Sequence, residues 1–301
     1  MEKTVAETIK TLSKKLVDKN KAIIIGQCLS AVGWVQNTVP PQKKGIIELP
    51  MTDVAGAGFA VGASLEKKMR AIFILRFQSF LWLNASPLIN HAAKAKEMFG
   101  YSAPVLIRAI ASEGPSSGPL HTNCYHSPFA HMPGLPICAP MSPNEYKSIW
   151  KHYLKNDDPL LVSEHRRSYK ESIEFKNYTN KKSKISIFAI SACRFDMEEV
   201  KKILQSKNIE IDIFHIVWLK PFKIKTEYIK SLNKTNLGIV IDSSYEICSV
   251  AEHISYKLMH ASKKAKIHTF GMKDKSPGCS PTLLNGTPSA KQIVSKILKL
   301  I

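Results

Sequence analysis

The chain has 301 residues, 44% hydrophobic and 22% charged, an ordinary globular composition that excludes a disordered chain and is long enough for two domains. Its formal charge of +19 raises the question of nucleic acid, because clustered Lys and Arg neutralise phosphates. Arginine occurs only at positions 70, 76, 108, 166, 167 and 194, however, and the lysines are scattered along helical faces and the tail, a pattern that fits a solvated surface or an acidic protein partner and no nucleic acid.

In chain order, "TVAETIKTLSKKLVDK" (4 to 19) carries Thr4 and Glu7 as a capping box over apolar residues at helical spacing, and "KAIIIGQ" (21 to 27) follows as a buried strand. "VAGAGFAVGASL" (54 to 65) reads as a helix of small side chains. "RAIFILRF" (70 to 77) is a strand, "LWLNASPLINHAAKAKEMFG" (81 to 100) a helix interrupted near Pro87, and "APVLIRAIA" (103 to 111) another strand. "MSPNEYKSIWKHYLKN" (141 to 156) places Ser142 as N-cap, Pro143 at the first helical position and Glu145 completing a box, before the strand "PLLVSEH" (159 to 165).

The polar, lysine-rich stretch 169 to 184 separates this from a second alternation. There "KISIFAIS" (184 to 191), "EIDIFHIVWL" (210 to 219), "NLGIVIDSS" (236 to 244) and "AKIHTFGM" (265 to 272) are strands. Helices begin near Asp196, Thr226 and Glu246, and "TPSAKQIVSKILKLI" closes the chain as another. Strands alternating with helices imply an α/β fold: two three-layer α/β domains with mostly parallel sheets, residues 1–168 and 185–301, with 169–184 as linker.

No apolar run approaches the ~20 residues of a membrane span, and "MEKTVAETIK" has no apolar signal core. The cysteines at 28, 124, 138, 193, 248 and 279 form no C-x-x-C pair. A soluble, cytoplasmic chain with reduced thiols and no membrane partner is expected.

Gly56, Gly58 and Gly62 suggest a dinucleotide loop, but G-x-G-x-x-x-G puts Val61 where the third glycine belongs, so close packing of a small-residue helix explains them better. Asp53 stands at the start of that helix, where the dipole favours an acid. "GPSSGPLHTNCYHSPFAHMPGL" (114 to 135) is a long loop of the kind that carries function. Its His121, Cys124, His126 and His131 do not have a standard zinc spacing, so no metal site is expected; an acid/base or anion-facing histidine is one reading and histidines satisfied by backbone the other. No nucleophile elbow is read in the chain, and no phosphate-loop motif is present.

Across nearly its whole length the chain resembles the β subunit of the E1 component of 2-oxo acid dehydrogenase complexes, in the transketolase-like thiamine diphosphate family. The likeness rests on "TVAETI", "ELPMTDVAGAGFAVGA", "LINHAAK", "GPLHTN", "FAHMPGL", "KNDDPLLVSEHRRSY", "WLKPF" and "TPSAKQIVSKILKLI", in the family's order and near its spacing. The resemblance implies a pyrimidine-binding domain followed by a transketolase C-terminal domain. It also implies thiamine diphosphate as cofactor, with Mg²⁺ held mainly by an α-type partner in an α2β2 heterotetramer, a 2-oxo acid as substrate, and a lipoyl acyltransferase core as acceptor of the acyl group. By the same resemblance, Asp53 takes the place of the glutamate that activates the cofactor through its pyrimidine ring, His121 that of the loop histidine near the reacting centre, and Phe80 that of the aromatic against the pyrimidine. Gln27, in "GQC", stands where the family commonly has a carboxylate near the cofactor, and Leu83 where some members have glutamine. The alternatives are a diverged two-subunit thiamine diphosphate enzyme for another carbon-carbon reaction and a non-catalytic scaffold subunit.

Overall fold

A computed structural model of the chain describes residues 3–31, 33–65, 69–114, 117–262, 264–280, 282 and 285–301, with the backbone alone of Asp53. Helix α1 (Val5–Asp18) starts on the expected capping box: Thr4 Oγ1 accepts the Glu7 N–H and Glu7 Oε2 accepts the Thr4 N–H. Strands β1 (Ala22–Gln27) and β2 (Ile46–Leu49), helix α2 (Asp53–Ser64) and strand β3 (Arg70–Leu75) follow. The helix expected over 81–100 is broken into separate turns, with a π turn at Pro87–His91 and a 3₁₀ turn at Ala92–Lys94, before the regular α3 (Ala95–Phe99). Proline supplies no N–H to the ladder, which explains the break.

Next come β4 (Val105–Ala111), the short helices α4 (Gly118–His121) and α5 (His126–Ala130), β5 (Ile137–Cys138), α6 (Pro143–Lys155) and β6 (Leu160–His165). Helix α6 begins after Ser142 as expected, but the box does not close. Glu145 Oε2 instead accepts the Met141 N–H at 2.8 Å, and Ser142 Oγ donates to Glu174 at 2.6 Å. The two groups bond to different partners, so the helix start is tied to residues of the following segment.

The second half contains β7 (Ile185–Ile190), α7 (Met197–Gln205), β8 (Ile211–Ile216), β9 (Trp218–Lys220), α8 (Thr226–Thr235), β10 (Leu237–Tyr245), α9 (Val250–Ser262), β11 (Lys266–Met272) and α10 (Ala290–Leu298). Helix α9 starts four residues later than Glu246, because Glu246 N donates to Met272 O and a Ser249/Glu252 box caps the helix instead.

The strands form two sheets, ordered β2-β1-β3-β4-β6-β5-β9 and β11-β10-β7-β8. All pairings are parallel except that of β9, which leaves the second half to pair antiparallel with β5. Register decides which residues enter which layer. The row Ile24, Ile72, Leu106, Leu160 faces α1 and α6, while the adjacent row Ile25, Phe73, Ile107, Leu161 faces α2 and the second domain.

The segment 169–184 is pinned to the second sheet. Tyr178 exchanges both backbone hydrogen bonds with Ile213, at 2.9 and 2.7 Å, and Asn180 N donates to Asp212 at 2.8 Å.

Candidate active site

The carboxyl ends of β1, β3, β4 and β6 converge on one rim of the first sheet, the position where open α/β sheets bind ligands. Gln27 closes β1, and Gly26 before it has no space for a side chain: a Cβ there would lie 2.8 Å from the Ile74 carbonyl oxygen. The two strands are therefore pressed together at the rim. Gln27 Oε1 accepts from Arg76 Nη1 at 3.2 Å, one residue past β3.

Arg76 is nearly buried, and its guanidinium lies 4.8 Å from the ring centroids of both Trp34 and Phe80. Arg166, just past β6, sits 4.4 Å from the Phe77 centroid and donates from Nη2 to the carbonyls of Trp34 and Arg76, each at 3.1 Å. His121 stacks on Phe77 with centroids 4.2 Å apart and places Nδ1 3.3 Å from Ser79 Oγ. Phe80 lies 5.4 Å from the same imidazole. Burial, then the charges of Arg76 and Arg166, hold the His121 pKa below the ordinary histidine value, so its imidazole is neutral at pH 7.

Of the residues expected at the site, Gln27, Phe80 and His121 meet here. Asp53 opens α2, and its side chain lies outside the described residues. The helix itself is fixed to the turn bearing Phe80: Ala57 N donates to Asn84 Oδ1 at 3.1 Å, and Asn84 Nδ2 donates to the Phe80 carbonyl at 2.9 Å. Close packing by the glycines holds at Gly56, where a Cβ would reach Leu49 and Phe73 at 3.5 Å. Gly58 and Gly62 instead share an open face with Val54 and Phe59, which are 62% and 63% exposed.

Trp34, Arg76, Phe77 and Arg166 were not singled out by sequence reasoning. The available signal was Arg76 itself, one of the few arginines in a chain that otherwise uses lysine, placed directly after a strand.

The loop 114–135 also turns a second group inward. His126 Nε2 lies 2.7 Å from Asp242 Oδ2 on β10, and its Nδ1 lies 3.0 Å from Ser163 Oγ and 3.2 Å from Cys124 Sγ. Gln78 Nε2 donates to Ser163 Oγ at 2.8 Å, and Gln78 Oε1 accepts the Tyr125 N–H at 2.6 Å. A continuous polar seam thus joins the Phe77–Phe80 turn to the second domain. Burial alone would lower the His126 pKa, but the Asp242 carboxylate and Cys124 outweigh it and raise it well above the usual value.

Among known families, that of the transketolase pyrimidine binding domain matches residues 5–172, and that of the transketolase C-terminal domain matches residues 177–287. The chain belongs to the transketolase family. It is 27% identical over 271 residues to the acetoin:2,6-dichlorophenolindophenol oxidoreductase subunit beta of Cupriavidus necator, covering 84% of this chain and 80% of that one. It is 22% identical over 281 residues to the pyruvate dehydrogenase E1 component subunit beta of Rickettsia felis, covering 86% and 85%. The resemblance to E1 β subunits therefore holds across the transketolase-family chain. A solved split gene transketolase, described as an inactive beta4 tetramer, shares the fold with a TM-score of 0.69 at 14% identity, over 99% of this chain and 98% of that one. Among the described residues, no helix is long and apolar enough to cross a membrane.

Proposed function

We propose that this chain is the β subunit of a thiamine diphosphate-dependent 2-oxo acid dehydrogenase, decarboxylating a 2-oxo acid together with an α-type subunit. The observation that carries the reading is the convergence of Gln27, Phe80, His121 and the start of α2 on one rim of a transketolase-family sheet. The residues present fit the pyrimidine half of the cofactor: Phe80 offers a half-buried ring, Gln27 an amide, and Asp53 opens the helix that Asn84 ties to the Phe80 turn. By the same reading, the Mg²⁺ that accompanies the cofactor would be held mainly by the α-type subunit.

When bound, thiamine diphosphate supplies the nucleophilic carbon and the electron sink that decarboxylation of a 2-oxo acid requires. Asp53 would accept from the pyrimidine ring at its carboxylate, and Phe80, whose ring lies 4.8 Å from the Arg76 guanidinium, would pack against the pyrimidine. His121 Nδ1 lies beside the Ser79 hydroxyl, and a neutral ring with its proton on Nε2 would offer that N–H to the reacting oxygen as a hydrogen-bond donor. Burial first, and then the charges of Arg76 and Arg166, lower the pKa of the ring and favour its neutral form.

The partner reading has its own support in the apolar surface beside the rim. Val54 and Phe59 on α2, together with Trp82 and Leu120, are all at least half exposed. An α2β2 assembly would cover that surface.

The test is co-expression with an α-type subunit, followed by assay of the complex with pyruvate, a branched-chain 2-oxo acid and acetoin, with and without thiamine diphosphate and Mg²⁺. Asp53→Ala should abolish cofactor-dependent turnover while leaving assembly intact on gel filtration. Turnover that survives Asp53→Ala sinks the activator role, and an assembled complex inactive on every substrate favours a scaffold.

A further inference from the structure

At the opposite end of the first sheet lies a groove of about 1150 Å³, between α1, α6 and the residues that precede β1, β3 and β4. Leu12, Leu16, Leu65, Met69, Trp150 and Leu154 supply its apolar lining. Lys15, Lys19 and Lys21 line it from the α1 side, and Lys147, Lys151 and Lys155 from α6. All six lysines are exposed. Among the described residues the groove has one carboxylate, Asp157, which Arg70 already holds at 2.7 Å. The nearby Asp18 is likewise engaged by Lys14 and Lys43.

The spacing shows how the surface is made. On α1 the sequence Leu12, Lys15, Leu16, Lys19 steps by three, one and three residues, and on α6 Lys147, Trp150, Lys151, Leu154, Lys155 does the same and adds one. Each helix therefore turns one stripe of mixed leucine and lysine toward the groove. A lysine face built only for solubility would not leave Leu154 40% exposed and Tyr101 49% exposed between the cations.

We propose that this groove docks an acidic amphipathic helix of a partner protein. The volume exceeds the roughly 300–1,000 Å³ of small-molecule pockets. The helices that flank it are 14 and 13 residues long. At 1.5 Å per residue that is a run of about 20 Å, which matches three to four turns of a helix laid in a groove. The cations are almost all lysine, and the one arginine is spent on Asp157 and the carbonyls of Tyr153 and Asn156, which disfavours a nucleic acid that would seek guanidinium contacts and stacking. The apolar floor in turn disfavours a purely polar polyanion. The docking face is separate from the cofactor rim: β1, six residues or about 20 Å long, runs between Lys21 and Gln27.

The test uses the full-length chain and a fluorescein-labelled helical peptide with leucine at i, i+3, i+4, i+7 spacing and glutamate on both flanks, followed by anisotropy. An all-glutamine counterpart and oligo(dT) serve as comparison ligands. The acidic peptide should bind saturably and more tightly than the glutamine peptide. The triple variant Lys19→Glu, Lys151→Glu, Lys155→Glu should weaken it on the order of tenfold or more. Leu154→Ser should also weaken it, and reversal of Lys181, Lys182 and Lys207, exposed and remote, should not. Circular dichroism separates loss of fold from loss of binding. Equal weakening by the remote triple overturns the proposal, as does oligo(dT) displacement of the peptide combined with no effect of Leu154→Ser.

Discussion

The loop 114–135 and the turn 77–80 build two neighbouring structures with opposite character. The seam through His126, Ser163, Gln78 and Asp242 is buried throughout, no member being more than 1% exposed, and its hydrogen bonds run from one domain to the other inside the chain. The rim through Trp34, Arg76, Phe77, Phe80, His121 and Arg166 stays open: Trp34 is 48% exposed, and neighbouring Met51 and Leu120 are 65% and 75% exposed. Arg76 and Arg166 each keep a buried Nε without a partner among the described residues. The exposed aromatic and apolar side chains are what set the rim apart, since Asp242 Oδ1 in the seam is also without a partner among the described residues. The difference is that between a buried joint and an open rim.

The sharpest way to break this comparison is at the joint. His126→Ala leaves Asp242 buried and uncompensated, which should cost about 3–5 kcal/mol and lower the thermal midpoint strongly. The pH dependence has a definite sign. The folded-state pKa of His126 is raised, so its stabilisation is fully present below the unfolded value of about 6.5 and is lost as pH rises through the folded value. The gap in thermal midpoint between wild type and His126→Gln should therefore be widest in mild acid and narrow toward alkaline pH; a gap that widens with pH refutes the charged pair. At the rim the same kind of lesion should matter far less. Trp34→Ala removes a half-exposed ring from Arg76 and should cost about 0.5–1 kcal/mol by urea denaturation. A loss as large as that of His126→Ala would mean that the rim is closed within the single chain after all.

The fold was legible wherever local chemistry and register agree. The Thr4/Glu7 box and the alternating strands around 22–27, 70–75 and 105–111 could be read directly, because capping and period are local signals. The four-residue β2 and the two-residue β5 escaped, being too short to show a period and defined only by their neighbours. At the rim, Gln27, Phe80 and His121 were expected from the family resemblance, and the structure brings them close together. Arg76 and Arg166 were not, because their meaning lies in contacts 49 and 90 positions away. His126 could not be told apart from the other loop histidines for the same reason: Ser163 and Asp242 are 37 and 116 positions distant.

The smallest expected effect is also the one that reads the rim most directly. Burial lowers the His121 pKa first, and the positive charges of Arg76 and Arg166 lower it further. A lowered value means that the folded chain binds fewer protons at this ring than an unfolded one, so the neutral form persists below the usual value of about 6.5. The ring resonances of His121, assigned by comparison with His121→Gln, should titrate below that value in the full-length chain. Arg166→Gln removes one of the two cations and should move the midpoint upward by a fraction of a unit while leaving His126 unshifted, because the seam is buried away from Arg166. In the α-type complex, activity should then decline on acidification through the lowered midpoint and recede at a higher pH in the Arg166→Gln variant. An upward shift in the resonance without a matching shift in the activity profile would leave the geometry of the rim standing and remove His121 from the proton-handling step.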